Sequence, residues 1–281
     1  MALYTTNDLE ILVATMNRDN LLFLEVMFQQ SIATIKAPVL VVNQSKTKIL
    51  KSDWQHIRVI NSRVQGLSKS RNLAIENSTK KLCWLMDDDC VILPGAANKI
   101  VAAHNQYPDA ILTFKTQSTS GQDFYTYNKV LHKLNKKSIT KVLSPEITFK
   151  RHSINNVNLR FDTRFGLGAQ FQDSENYVFL DDALKRQLKL GFVPETVVQH
   201  PSKTSSDDVA SNRVIYARGA IAGRRNIMTA AFYQLKYVFF LWRKGYVRSF
   251  VTLWEKFVVF RHGANDYFTG FEGHRINHPK Q

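Results

Sequence analysis

The stretch LCWLMDDDCVILPG, Leu82–Gly95, decides how the rest of the chain is read. Mostly apolar residues run directly into Asp87, Asp88 and Asp89, and apolar residues resume until Pro94-Gly95. An apolar run bounded by turn signals reads as a buried strand. Three adjacent carboxylates repel one another and resist leaving water. The conflict eases if the acids sit at the carboxyl end of a strand in an open α/β sheet, where ligands bind. In an extended chain residues i and i+2 point the same way. Asp87 and Asp89 are therefore expected to face one site, with Asp88 directed elsewhere and mattering least. A hard divalent cation, Mn²⁺ or Mg²⁺, would relieve the repulsion and bridge carboxylates to substrate phosphates. A solvated acidic turn is the competing reading, and an isolated D-x-D is a weak signal.

Working outward, short apolar runs alternate with helix-like segments. Leu9–Thr15, Pro38–Val42, His56–Ile60, Lys81–Met86 and Ala110–Phe114 read as strands. Asp19 is placed to cap the helix NLLFLEVMFQQSIATI, Ser68 to cap KSRNLAIEN, and Pro94 suits the first turn of PGAANKIVAAHNQY. This β-α-β-α-β order predicts an α/β fold with a mostly parallel, Rossmann-like sheet flanked by helices. Gln122–Arg151 is basic and weakly periodic, a helix or loop crossing the sheet. FDTRFGLG (161–168) is loop-like, VFLDDALKRQLKL (178–190) reads as a helix ending at Gly191, and FVPETVVQH as a strand ending at His200. The polar, turn-rich PSKTSSDD (201–208) marks a boundary. The expected domains are residues 1–205, divided into 1–115 and 116–205, and a C-terminal region, 206–281.

Composition shifts beyond that boundary. From Arg213 to Arg261 the cations are Arg213, Arg218, Arg224, Arg225, Lys236, Arg243, Lys244, Arg248, Lys256 and Arg261, and the only acid is Glu255. Met228, Ala231, Phe232, Leu235, Val238, Phe239 and Trp242 recur at helical spacing, as do Val247, Phe250, Val251, Trp254, Phe257 and Val258. These are basic amphipathic helices with aromatic faces, suited to an anionic membrane surface, or to a helical cap or dimer interface. The whole chain of 281 residues carries a formal net charge of +15, which also favours an anionic partner. The two cysteines, Cys83 and Cys90, are too few for a disulfide framework and read as small buried hydrophobes. With no signal peptide in MALYTTNDLE and no uncharged apolar run near the ~20 residues of a membrane span, a cytoplasmic protein is expected, peripheral on the inner face of the membrane.

Four constellations could carry chemistry. The first is Asp87-Asp88-Asp89. In Gly66–Asn72 (GLSKSRN) a helix start offers backbone N–H groups to a phosphate or ribose. Thr15-Met16-Asn17-Arg18 supplies polar side chains after the first strand. In Asp173-Ser174-Glu175-Asn176 a carboxylate could act as general base on a hydroxyl, and His200 downstream could complete a metal site. Taken singly, the last three are ordinary loops and helix starts.

Together, and in order, ATMNR (14–18), GLSKSRNLAIENS (66–78), WLMDDDCVILPG (84–95), FDTRFGLGA (161–169), SENYVFLDDAL (174–184) and VVQHP (197–201) resemble glycosyltransferase family 2. The resemblance covers about residues 8 to 205. It implies the GT-A fold and inverting transfer of a sugar from a nucleotide-diphosphate sugar, a UDP-sugar, by a hexosyltransferase-type enzyme. The FGLGA and SENYVFL pieces resemble bacterial enzymes of surface-polysaccharide or lipopolysaccharide synthesis, implying a saccharide or lipid-linked acceptor. By position, residues 1–115 become the nucleotide-sugar half and 116–205 the acceptor half. Asp89 and His200 become metal ligands for Mn²⁺ or Mg²⁺. Thr15, Asn17, Arg18, Ser68, Arg71, Asn72 and Asp87 fall at the nucleotide sugar, with Asp88 grouped beside them. Glu175 becomes the base, with Asp173 as runner-up.

Two departures stand out. Asn43 occupies the place of an acid that grips the base in many relatives, and an amide can still hydrogen-bond a base edge. Asn176 replaces the second acid of the acceptor motif, and an amide cannot take the acceptor proton.

Three rival classes fit less well. A nucleic-acid binder would not want an acidic triplet, and no nucleic-acid motif is present. A haloacid-dehalogenase-like phosphatase also uses a strand followed by D-x-D, and Val91 fits its pattern, but here the motif follows two βα units. A nucleotidyltransferase on a related fold wants a Gly-rich loop after the first strand, and ATMNRDN has no Gly.

Overall fold

The computed structural model describes residues 3–201 and 208–271. The chain forms two compact units, Met1–Phe161 with Phe179–Ser202, and Asp162–Val178 with Lys203–Gln281. The segment 162–178, read above as part of the acceptor half, thus clusters with the C-terminal helices. The PSKTSSDD stretch lies mostly outside the described residues.

In chain order the elements are β1 (Leu9–Met16), α1 (Leu22–Phe28), β2 (Val39–Gln44), β3 (Ile57–Ser62), α2 (Leu67–Asn77), β4 (Leu82–Asp87), β5 (Val91–Ile92), α3 (Ala96–Gln106), β6 (Ile111–Ser118), β7 (His132–Lys133), β8 (Ile147–Lys150), α4 (Arg151–Asn156), α5 (Glu175–Lys185), β9 (Leu190–His200), α6 (Asn212–Arg225), α7 (Ile227–Arg243) and α8 (Phe250–Thr269).

The first unit is built on one sheet, ordered β3-β2-β1-β4-β8-β6-β9-β5, with β7 paired to β9. β1 runs parallel to β2 and β4, β2 to β3, and β6 to β9; β8 is antiparallel to both β4 and β6. This is the expected mostly parallel α/β sheet. The near-continuous apolar strands LEILVAT and LCWLM lie side by side, buried throughout, as a sheet covered on both faces requires. β4, β6 and β9 all point their carboxyl ends the same way. Asp87, Ser118 and His200 are therefore brought to one edge.

Several local expectations are corrected. The first helix does not start at Asp19: Asn20 Oδ1 accepts from the Leu22 N–H, and α1 closes at Gln29 in the left-handed region, φ 52°. Gly66, not Ser68, is the N-cap of α2, which puts Ser68 inside its first turn. Pro94 precedes the cap of α3; the cap is Gly95 with φ 76°, a conformation that favours glycine. α5 closes before Gly191: Gln187 takes φ 60° and the Leu188 N–H donates to the Ala183 carbonyl, which frees Gly191 for β9. The basic 122–151 stretch is mostly irregular, with the short strands β7 and β8 and the start of α4.

The second unit rests on helix contact. α6 and α8 meet backbone to backbone: a Cβ on Gly219 would fall 2.0 Å from the Phe260 carbonyl oxygen, and one on Gly263 2.0 Å from that of Tyr216. The Tyr216 hydroxyl donates to buried Asp266 across the same crossing.

Candidate active site

Strand geometry ends at Asp87, and the next residues form a turn in which the Cys90 N–H donates to the Asp87 carbonyl. The i, i+2 alternation therefore stops there, and the three carboxylates fan out in three directions. Asp87 accepts from the Arg71 guanidinium at 2.8 Å and from the Ser144 hydroxyl at 2.5 Å. Asp88 does not point away from the site. It accepts from the Thr15 hydroxyl at 2.6 Å and from two nitrogens of Arg18, at 3.1 and 2.8 Å. Asp89 is the most exposed of the three, and its Oδ1 lies 3.8 Å from His200 Nε2.

This separation resolves the electrostatic conflict for two acids and concentrates it on the third. Burial by itself would raise the Asp87 carboxyl, but the charge of Arg71 and the Ser144 hydroxyl outweigh it, and its pKa lies below the ordinary value. The Asp89 carboxyl is raised by burial and by the charges of Asp87 and Asp88, against the opposing pull of His200. Among the described residues Asp89 has no Lys or Arg partner.

Asp89, Cys90 and His200 form the one group of potential metal ligands among the described residues. His200 Nδ1 lies 2.8 Å from the Pro201 carbonyl, which can only accept, so Nδ1 carries a proton and Nε2 is the nitrogen that faces Asp89, able to ligate a cation when the ring is neutral. Burial and the charges of Asp87 and Asp89 push the Cys90 thiol well up, so it stays protonated. A carboxylate and an imidazole with a free lone pair fit a divalent cation that takes its other ligands from phosphate and water.

The remaining residues divide into contacts and positioners. Asn17, exposed at the end of β1, takes φ 55°, which asparagine tolerates. Asn43 is fully buried: it donates to the Arg18 carbonyl and to Asn61, and accepts from the Arg18 N–H. It fixes the loop that carries Arg18 and has no free edge for a base. Asn72 likewise brackets Phe161, donating to its carbonyl and accepting from its N–H. Arg71 lies under the Phe161 ring, 5.5 Å from the centroid. Ser68 is buried in the first turn of α2. In the second unit, Asp173 is buried and accepts from the Ser174 hydroxyl and from Arg218 at 3.3 Å. Glu175 is the half-buried first residue of α5.

The sequence reading missed the 143–146 turn. Ser144 holds Asp87, the Pro145 carbonyl accepts from the Trp84 indole, and buried Glu146 accepts from the Leu143 N–H and the Tyr127 hydroxyl. Burial lifts Glu146 to about 7. Only the apolar Trp84 in β4, in need of a partner for its N–H, hinted at this turn. Tyr127 also lines a cleft of about 860 Å³, with Lys115, Tyr125, Lys129, Lys141 and Pro194. It opens where β9 bulges against β6, between Thr113 and Lys115; Pro194, which lacks an N–H, falls in that bulge. Phe124, also in its wall, stands edge-on to His200, 5.7 Å between centroids.

A mostly parallel α/β sheet with a fanned acid cluster and a histidine at its carboxyl edge defines a GT-A-type protein. Residues 39–162 match the family described as Glycosyl transferase family 2. That segment, less than half of the chain, is a glycosyltransferase family 2 domain. Its fold is similar to that of S. aureus TarS 1–349, at 11% identity and a TM-score of 0.56, covering 93% of this chain and 91% of that one. The complex of TarS 1–349 with UDP-GlcNAc aligns at 13% identity and a TM-score of 0.53, over 76% of this chain and 65% of that one. A further structure of S. aureus TarS aligns at 14% identity and a TM-score of 0.52; the match covers 76% of this chain and 39% of that longer one. No curated protein matches the chain.

Proposed function

We propose that the protein is an inverting, metal-dependent glycosyltransferase that moves a hexose from a UDP-sugar to a saccharide or lipid-linked saccharide. Its setting is then bacterial surface-polysaccharide or lipopolysaccharide synthesis on the cytoplasmic face of the membrane. The observation that carries the reading is the fan of Asp87, Asp88 and Asp89, which neutralises two acids on arginines and leaves Asp89 beside the Nε2 of His200. The TarS 1–349 complexes with UDP-GlcNAc and UDP support a uridine diphosphate donor.

In this reading Asp88 holds Thr15 and Arg18 at the nucleotide, and Asp87 holds Arg71. Asn43 and Asn72 shape the pocket from behind. A divalent cation, Mn²⁺ or Mg²⁺, held by Asp89 and His200 would supply positive charge for the departing diphosphate. Glu175 takes the proton of the acceptor hydroxyl. That oxygen bonds to the anomeric carbon from the face opposite the leaving group, and the bond to the diphosphate oxygen breaks with its electron pair. The tyrosines and lysines of the 860 Å³ cleft suit an acceptor with sugar rings and anionic groups.

The test is turnover of a panel of nucleotide sugars with Mn²⁺, Mg²⁺ or chelator. Asp89→Ala should lose at least ~100-fold in metal-dependent rate. Glu175→Gln should lose ~100-fold or more in transfer while still binding donor. Full turnover by either variant removes that residue from its role.

A further inference from the structure

The second unit presents an apolar surface that the transfer chemistry does not use. α7 is apolar on two opposite sides. Ala230 and Leu241 lie buried on one, packed with α6 and α8 residues such as Ile215, Leu253 and Phe260, and the buried Gln234 between them donates to the Phe257 carbonyl of α8. Met228, Phe232, Leu235, Phe239 and Trp242 lie on the other, between 52% and 86% exposed. Their steps of four, three, four and three residues return each side chain to an arc of roughly 80° on the helix. A continuous exposed strip of this size, with Trp and Phe in it, marks an interaction surface.

We propose that this face of α7 docks on an anionic lipid bilayer. The choice of occupant rests on charge. Lys236 and Arg243 flank the strip, and Lys244 and Arg248 follow it in the turn before α8. These four cations have no acidic partner in any ion pair among the described residues. From Arg213 to Arg261 the only acid is Glu255. Two copies meeting through this face would set cation against cation. Anionic headgroups complement it, and an aromatic strip beside lysines and arginines is the pattern of a helix lying in the membrane interface. Tyr246, Phe250, Val251 and Trp254 extend the exposed apolar residues past the end of α7. None of the described helices is long and apolar enough to cross a membrane, so the contact is one of surface attachment.

The experiment is co-sedimentation of the full chain with phosphatidylcholine vesicles, with and without phosphatidylglycerol. It reads lipid binding alone, so its result is independent of donor, metal or base. Binding to the phosphatidylglycerol vesicles is expected, weakened by salt and absent from the neutral ones. Phe232→Glu with Trp242→Glu should reduce it at least ~10-fold while the helical circular dichroism is retained. Lys236→Gln with Arg243→Gln, both at exposed positions, should reduce it by ~10-fold or more and decides the matter if the glutamate pair misfolds. Equal binding to neutral vesicles overturns the proposal. So does the absence of binding, or a dimer that the glutamate pair dissolves without any effect on lipid.

Discussion

The two units of this protein use glycine and charge in opposite ways. In the first, glycine serves the backbone: Gly95 takes φ 76° to cap α3, with open space where a Cβ would stand. In the second, glycine serves packing: Gly219, Gly223 and Gly263 keep α6 and α8 in backbone contact. Charge divides similarly. The first unit pairs its critical acids internally, Asp87 with Arg71 and Asp88 with Arg18, and leaves one outward. The second leaves exposed lysines and arginines beside apolar side chains on α7. A site that must hold a charged ligand is shaped by pairing most of its charges in advance; a surface that meets a diffuse partner is not.

The sharpest way to break this comparison is Gly263→Ala. The added methyl would fall 2.0 Å from the Tyr216 carbonyl, so α6 and α8 must separate. A loss of about 3 kcal/mol or more is expected in denaturant unfolding. Gly95→Ala meets only its backbone preference and should cost about 1 kcal/mol. Equal costs would erase the distinction between the two kinds of glycine.

The three aspartates should separate in the same way. Asp87→Ala leaves the Arg71 guanidinium buried without its acid and should destabilise by about 3 kcal/mol. Asp88→Ala releases the half-exposed Arg18 and should cost about 1 kcal/mol. Asp89→Ala should leave thermal stability within about 0.5 kcal/mol of the parent, its effect falling on turnover. A large stability loss at Asp89 would mean that it, too, is a structural acid.

Glu146 gives an effect that depends on pH. Its folded pKa, about 7, lies above the ordinary value of 4.5. Between those values the folded state binds more protons than the unfolded one, so this group's contribution to stability is lost as pH rises towards 7. Glu146→Gln should flatten that slope, by about 3 kcal/mol at most over the window. Urea titrations at pH 5 and pH 7.5 measure it. A wild-type slope unchanged in the variant would place the pH dependence elsewhere.

How much of this was legible depends on the range of the interactions. The strands could be read because burial on both faces writes itself as continuous apolar runs, as in β1 and β4. The end of β4 could be read because carboxylates cannot join a core. Helix starts were less legible. Asp19, Ser68 and Pro94 are good capping or first-turn residues by type, yet α1 and α3 begin three and two residues after Asp19 and Pro94, and α2 begins one residue before Ser68. Neighbouring residues compete for the same few backbone N–H groups, and packing settles the outcome.

The sequence alone determined the main parallel strands along the chain, the placing of three acids at one strand end, and the basic, aromatic character of the C-terminal helices. Each follows from residues close together in the chain. Tertiary structure alone decided which acid stands apart. Arg71 is 16 residues from Asp87, Ser144 57, and Arg18 70 from Asp88, and no local pattern names such partners. It also decided which of two apolar faces of α7 is buried, since both have helical period and only packing against α6 and α8 chooses between them.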